Sequence, residues 1–334
     1  MQEIKPIQVA QFGLGPIGLE SLKLAATKSW LEVIGGVDLA ADKVGRDLAD
    51  LTGEPALRGR RVFETLAALL AVGKPDVVLH TSVSKFAAAA LQLEPIIRLG
   101  ISVVSSCEEL VCPAFRDAAL AARLDALCQQ HGARVFGTGV NPGFVMDVLP
   151  VVLSGVSRTV QRISVQRVVN ASTRRGPLQR KIGSGWSPAE FERRFSEGEA
   201  GHAGLKDSIA LIAHGLGWSL DGITETGRAM VAERDIRTAH VEVRQGQCCG
   251  LHQLGIGTRA GQPVITLDIK MYLDAPNPHD AIQLEGEPPL RVLIEGGVAG
   301  DQATVAALVN AIPRVLKARP GLLLATDIAL PCFV

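Results

Sequence analysis

Neither sign of charge dominates this chain of 334 residues. Lys plus Arg and Asp plus Glu each total 34, and no long basic run is present to neutralise phosphates, so a nucleic-acid partner is not expected. No apolar stretch reaches the roughly 20 residues of a bilayer span before charge or glycine interrupts it, and the opening MQEIKPIQVAQFG lacks a signal-peptide pattern. A cytoplasmic chain without a membrane partner is the expectation. Cysteine is scarce: Cys107, Cys112, Cys128, Cys248, Cys249 and Cys332 are too few and too irregularly spaced for a disulfide framework, and no CxxC occurs, so reduced thiols are expected. Repeats, low-complexity tracts and Pro/Ser-rich linkers are absent as well. A chain of this length exceeds one hydrophobic core, and compact chain must cross any boundary between two domains.

What is present is alternation. Residues 7–12, 32–38, 76–81, 101–105 and 134–136 are short apolar runs rich in β-branched residues and read as strands. Segments of helical period lie between and after them, at 17–28, 42–51, 64–72, 85–99 and 114–130. Strands alternating with helices imply right-handed βαβ units around a parallel sheet, which binds ligands beyond the carboxyl ends of its strands.

The first of those ends carries Gly13-Leu14-Gly15-Pro16-Ile17-Gly18, a GxGxxG pattern that follows a strand and opens a helix. Asp38 stands 20 residues beyond Gly18, at the end of the second strand. The glycines permit a tight turn, close approach of the backbone to a pyrophosphate, and close helix–strand packing, while the helix dipole favours the anion. A nicotinamide dinucleotide is therefore the expected cofactor. Asp38 would accept from the ribose hydroxyls and repel a 2′-phosphate, favouring NAD over NADP, with Lys43 and Arg46 close enough in sequence to relieve that repulsion. Pro16 removes one amide at the helix start, a position where proline is tolerated. His80 and Thr81, closing the strand at 76–81, complete the expected cofactor-contacting set.

Beyond Gly143 the alternation stops. Period-two segments at 239–249 and 267–273, with turn signals at 244–247 and 258–261, predict hairpins in a largely antiparallel mixed sheet. Residues 187–197 and 205–216 are the expected covering helices. The expectation is thus an α/β Rossmann domain over 1–140 and an α+β domain over 141–300 for substrate binding and oligomerisation. A last helix at 301–318, within a 301–334 tail, packs back on the first domain. The second sheet needs a cover on each face, from helices or from a second subunit, which suggests a homodimer.

Chemistry has three candidate locations. The strand at 101–105 runs into Ser105-Ser106-Cys107-Glu108-Glu109. A capping box, Ser106 with Glu109 or Ser105 with Glu108, needs only one of the glutamates. If Ser106 pairs with Glu109, Glu108 is left for acid/base work. The Gly137–Gly143 stretch holds Asn141, suited to a substrate or a nicotinamide carboxamide, or to satisfying its own turn. Arg167 and Asn170 fall in a strand, where a buried Arg requires an anion, either a substrate carboxylate or a structural Asp. His252 follows in GLHQ. No metal-ligand spacing such as HExxH occurs, so no metal is expected. Cys107 offers a rival reading as the nucleophile of an acylating aldehyde dehydrogenase. A dinucleotide sensor without turnover is the rival outside enzymology.

Six blocks in order, GLGPIG, SSCEEL, GTGVNPGFVMD, RVVNAS, GLHQ and GDQATVAALVNAIPRVLKARPGL, give the chain an end-to-end resemblance to a known family. It is that of 2,4-diaminopentanoate dehydrogenase and the native amine dehydrogenases, which share the dihydrodipicolinate-reductase-like fold. The resemblance implies reversible NAD(P)-dependent oxidative deamination of an amine or diamino acid to a ketone plus ammonia. It implies that Glu108 assists ammonia attack and proton transfer, and that Asn141, Arg167 and His252 line the substrate pocket. The histidine-rich helix of dihydrodipicolinate reductase itself has no counterpart here, so that activity is not implied.

Overall fold

The computed structural model describes residues 5–330 and 332–333, and the chain divides into two compact units: residues up to Gly143 together with those from Ala299 onward, and Phe144–Val298.

In the first unit the order is β1 (Ile7–Phe12), α1 (Pro16–Ala26), β2 (Leu31–Val37), α2 (Leu48–Thr52), β3 (Val62–Phe63), α3 (Leu66–Leu70), β4 (Val77–His80), α4 (Phe86–Arg98), β5 (Ser102–Ser105), α5 (Pro113–Arg116), α6 (Ala118–His131) and β6 (Arg134–Gly137). The strands pair in parallel in the order β6-β5-β4-β1-β2-β3, so β4 lies between β1 and β5. Both faces are buried, as an all-parallel sheet requires. Ala10, Val78 and Val103 pack with Leu93, Ile96 and Ile97 of α4 and Leu124 of α6; Val9, Val77 and Val104 point the other way, toward Leu22 and Ala25 of α1.

Two expected helices are altered by specific residues. The helix read over 42–51 is a turn followed by the short α2, because Gly45 takes φ +81° and its amide pairs with Val62, while Asp47 caps the chain again at Ala49. The helix read over 114–130 is broken at Asp117, whose extended backbone starts α6 afresh and whose carboxylate accepts from Leu120 N at 2.9 Å.

The second unit holds α7 (Val148–Ser154), β7 (Thr159–Asn170), α8 (Gly176–Lys181), α9 (Pro188–Ser196), α10 (Leu205–Gly215), β8 (Gly222–Val231), β9 (Ile236–Arg237), β10 (Glu242–Val243), β11 (Cys248–Arg259), β12 (Gln262–Tyr272), β13 (His279–Glu287) and β14 (Leu290–Glu295). Six of these strands form a mixed sheet, β14-β13-β7-β12-β11-β8, in which only the β12–β7 pair is parallel. The strand read over 239–249 is instead the two-residue β10, a turn, and the start of β11 at Cys248. At the β11–β12 hairpin Ala260 and Gly261 both take positive φ, 50° and 71°, matching a two-residue loop that follows the twist of the strands. One sheet face is closed by α9 and α10: a Cβ on Gly227 would lie 2.3 Å from the Phe195 ring, and one on Gly257 2.8 Å from Ile209.

The chain then returns to the first unit as α11 (Gly300–Lys317) and β15 (Gly321–Leu323). Leu308, Ile312 and Val315 join the core that Leu22 and Ala25 line, and β15 extends the first sheet beyond β6, an edge strand that the sequence reading missed.

Candidate active site

The glycine loop is built as its sequence requires. Gly13 sits at φ +88°, and a Cβ there would approach the backbone of Ser82 to 3.0 Å; a Cβ on Gly18 would come within 2.1 Å of the Gly13 carbonyl oxygen. Those two glycines allow loop, helix and neighbouring strand to touch. Gly15 differs, for nothing lies within 4 Å of a Cβ built on it. Its backbone therefore faces open space at the start of α1, where Pro16 takes the first turn and no side chain caps the helix. An uncapped helix N-terminus beside an open glycine is a fitting place for the pyrophosphate of a dinucleotide. The cofactor fits these residues.

Beneath the loop lies a support that the sequence reading missed. Gln11, fully buried, donates through Nε2 to Thr81 Oγ1 at 2.9 Å and to the Gly13 carbonyl at 3.0 Å, and Thr81 Oγ1 donates to the same carbonyl at 2.8 Å. A glutamine within the buried Val9-Ala10-Gln11 stretch of β1 was the available signal. Thr81 thus braces the loop from behind. Asp38 holds it from the side: Oδ2 accepts from Leu14 N at 2.7 Å and Oδ1 from Ala40 N at 2.9 Å, while Lys43 Nζ stands 3.2 Å away. Burial works to raise the Asp38 pKa, but the Ala40 and Leu14 amides and the Lys43 ammonium together hold it below the ordinary carboxylate value. The carboxylate is anionic, and Lys43 partly neutralises it. Arg46 is exposed.

At the end of β5 the two adjacent glutamates have separate fates. Glu109 is buried; Oε2 accepts from Phe86 N at 2.7 Å, and Oε1 lies 3.6 Å from Lys85 Nζ and 3.5 Å from Arg116 Nε. Glu108 is half-buried and, among the described residues, has no hydrogen-bond or ion-pair partner. Among the described residues neither of the two possible capping boxes, Ser106 with Glu109 or Ser105 with Glu108, forms. Glu109 instead caps α4, a partner far away in sequence, and Glu108 is left free by that different route. Ser105 Oγ accepts from Cys107 N at 3.1 Å, fixing the turn from which Glu108 projects. Since β4 alone separates β1 from β5, this turn lies two strand spacings, about 10 Å, from the glycine loop along the carboxyl edge of the sheet.

Cys107 is fully buried, and burial, with the negative charge of Glu108 next to it, pushes its pKa up to about 12. A nucleophilic thiolate needs the opposite environment, so the acylating aldehyde dehydrogenase reading is corrected: Cys107 is a core residue. His80 is likewise fully enclosed, with Nδ1 2.8 Å from Ser105 Oγ and Nε2 2.8 Å from Gln92 Oε1. Its ring is fully enclosed by these partners rather than exposed at the sheet edge.

Asn141 follows β6 at the same carboxyl edge. Both its Oδ1 and its Nδ2 are shielded from solvent and, among the described residues, have no hydrogen-bond partner. The alternative in which it satisfies its own turn is excluded by that. An unpaired buried amide costs on the order of 1–3 kcal/mol, and a ligand with one donor and one acceptor would recover it.

The remaining sequence-predicted residues belong to the second unit. Arg167 forms a two-oxygen ion pair with Asp280, Nη1 lying 2.7 Å from each carboxylate oxygen, and donates through Nη2 to the Val298 carbonyl at 2.7 Å. The anion it requires is therefore the structural Asp, and its role as a substrate-carboxylate anchor is corrected accordingly. Asn170 Oδ1 accepts from Ser172 N at 2.9 Å in its own turn. His252 lies on the sheet face opposite α10, accepting through Nδ1 from Arg228 Nε at 3.0 Å and pairing through Nε2 with Asp268 at 2.8 Å. Both of its ring nitrogens are engaged within the sheet.

Against known proteins, residues 144–334 match the family model described as the 2,4-diaminopentanoate dehydrogenase C-terminal domain. The chain belongs to that family. It is 28% identical to the 2,4-diaminopentanoate dehydrogenase of Acetoanaerobium sticklandii, covering 98% of this chain and 95% of the relative. It is 27% identical to an amine dehydrogenase of Streptomyces virginiae, with 97% and 96% covered. The solved amine dehydrogenase of Mycobacterium smegmatis shares the fold at a TM-score of 0.87 and 22% identity, over 98% of this chain and 97% of that one.

Proposed function

We propose that this protein is an NAD(P)-dependent amine dehydrogenase that interconverts an amine with a ketone plus ammonia, with Glu108 as the proton-transfer group and NAD as the preferred cofactor. The observation that carries the reading is the free carboxylate of Glu108 on the same sheet edge as an open, uncapped glycine loop. Its neighbour Glu109 is already taken, accepting from the Phe86 amide and neutralised by Lys85 and Arg116.

The bound dinucleotide supplies a hydride acceptor for deamination and a hydride donor for amination. Gly15 and the first turn of α1 would hold its pyrophosphate, and Asp38 would accept from its ribose hydroxyls. The Asn141 amide, with neither its NH2 nor its carbonyl oxygen paired among the described residues, binds the carboxamide of the nicotinamide or a polar group of the substrate. As the C–N carbon of the substrate loses hydride, the nitrogen becomes an iminium cation. The Glu108 carboxylate stabilises that charge, takes a proton from the water that attacks the iminium carbon, and hands it to the nitrogen, which leaves as ammonia as the carbonyl forms. In the amination direction it takes the proton from the attacking ammonia-derived nitrogen and returns it to the leaving hydroxyl. The substrate is an amine or diamino acid. With Arg167 bound to Asp280, selection of the substrate rests on groups other than this arginine.

The test is absorbance at 340 nm with purified protein, NADH or NADPH, ammonia, and a panel of ketones and keto acids. Ammonia-dependent loss of reduced dinucleotide supports the reading. Tight dinucleotide binding with no hydride exchange across the panel contradicts it.

A further inference from the structure

His80 is a buried ionisable group that the mechanism above does not use, and it lies at the junction of the two features that the mechanism needs. It ends β4, between the strand that carries the glycine loop and the strand that carries Glu108. Toward Glu108, Nδ1 meets Ser105 Oγ at 2.8 Å, and that hydroxyl accepts the amide hydrogen of Cys107 at 3.1 Å, one residue before Glu108. Toward the glycine loop, Nε2 meets Ser82 Oγ at 2.9 Å, and the Ser82 backbone closes to 3.0 Å of the Cβ position of Gly13. Gln92 Oε1 completes the set, 2.8 Å from Nε2 and 2.5 Å from Ser82 Oγ, while the Phe12 ring covers one face of the imidazole at 5.6 Å between centroids.

The donors and acceptors in this cluster fix the tautomer. Gln92 Oε1 can only accept, so Nε2 carries the proton and donates to it, as does the Ser82 hydroxyl. Nδ1 is then a bare acceptor. Ser105 Oγ already accepts from Cys107, so its single proton goes to Nδ1. The chain of hydrogen bonds runs Cys107 N–H to Ser105 O–H to His80 and on to Gln92, with one proton on each link. Burial pushes the His80 pKa down, which keeps the ring neutral and this direction intact.

We propose that His80 is a positioning residue: in its neutral Nε2–H form it clamps Ser105, and so sets the Glu108 turn at a fixed distance from the glycine loop. This inference rests on Glu108 as the proton-transfer group. A carboxylate that must meet a nitrogen at hydrogen-bond range while hydride crosses to a ring held elsewhere tolerates little displacement, and a shift of about 1 Å costs up to about 100-fold in rate.

Three variants of the full chain test it: Ser105→Ala breaks the link but keeps the imidazole, His80→Leu removes ring and link, and His80→Asn keeps an acceptor where Nδ1 stands. For each, kcat for amination is read at 340 nm, NADH affinity by fluorescence titration, and Tm by circular dichroism, beside Glu108→Gln. The expected result is a fall in kcat of about 10- to 100-fold in Ser105→Ala and His80→Leu with NADH affinity unchanged, and recovery of most of it in His80→Asn. Wild-type kcat in Ser105→Ala, loss of NADH binding in step with kcat, or a His80→Asn as slow as His80→Leu overturns the clamp. If His80→Leu fails to fold, the other two decide. Should Glu108→Gln turn over like wild type, the assignment of Glu108 itself fails; an inactive Glu108→Gln beside a wild-type Ser105→Ala rejects only the role of His80.

Discussion

The carboxylate of Glu109 accepts the amide hydrogen of Phe86 at 2.7 Å, joining the turn after β5 to the first residue of α4. That bond separates two glutamates which are indistinguishable as neighbours in sequence. Glu109→Ala leaves a buried N–H without its acceptor and two cations without their anion. It should lower the unfolding free energy by about 1–3 kcal/mol in urea titration, with activity retained in the folded fraction. A stable but inactive Glu109→Ala would exchange the roles of the two residues.

Asp38 offers a pH test. Its carboxyl is held below the ordinary value in the folded chain despite its burial, so its contribution to stability is present above the unfolded pKa of about 3.9 and is lost as pH falls through the lower folded value. The urea midpoints of wild type and Asp38→Asn should therefore differ at pH 7 and converge as pH falls below about 4. A difference that persists at pH 2.5 would remove the ion-pair and amide account of this residue.

If NAD is preferred as proposed, the same carboxylate is the group that should set that preference. Asp38→Ser removes the charge that repels a 2′-phosphate and leaves Lys43 without its partner, so the ratio of kcat/KM for NADPH over NADH should rise, by about tenfold or more. An unchanged ratio would show that recognition of the adenosine ribose lies elsewhere.

Arg167 and Asp280 form a buried pair whose halves depend on one another. Arg167→Ala strands a fully buried carboxylate and should cost about 3–5 kcal/mol, whereas Arg167→Met combined with Asp280→Leu should recover most of that loss. Additive losses in the double variant would contradict the pairing.

How much of this was legible in the sequence depends on distance along the chain. The tight turn of the glycine loop was legible because the steric demands at Gly13 and Gly18 act within a few residues, and Glu108 could be singled out because it follows a strand end. The partner of Glu109 lies 23 residues upstream and that of Arg167 113 residues downstream, so spacing could suggest a capping box and an open anion site but could not reject them. The helix read over 42–51 failed for a similar reason: hydrogen bonds from Gly45 and Leu48 to residues 62 and 60 outweighed the local period. Gln11 and His80 show the converse. Each is a fully buried polar residue in a core strand, and only the fold reveals what it holds.

The most direct test of the central claim is the turnover number of Glu108→Gln, followed at 340 nm with saturating dinucleotide, ammonia and the best ketone of the panel. The amide keeps the size of the side chain but can neither take a proton nor carry the negative charge. The expected result is a loss of about 10²- to 10⁴-fold in kcat with dinucleotide affinity unchanged. Turnover near that of wild type would contradict the account.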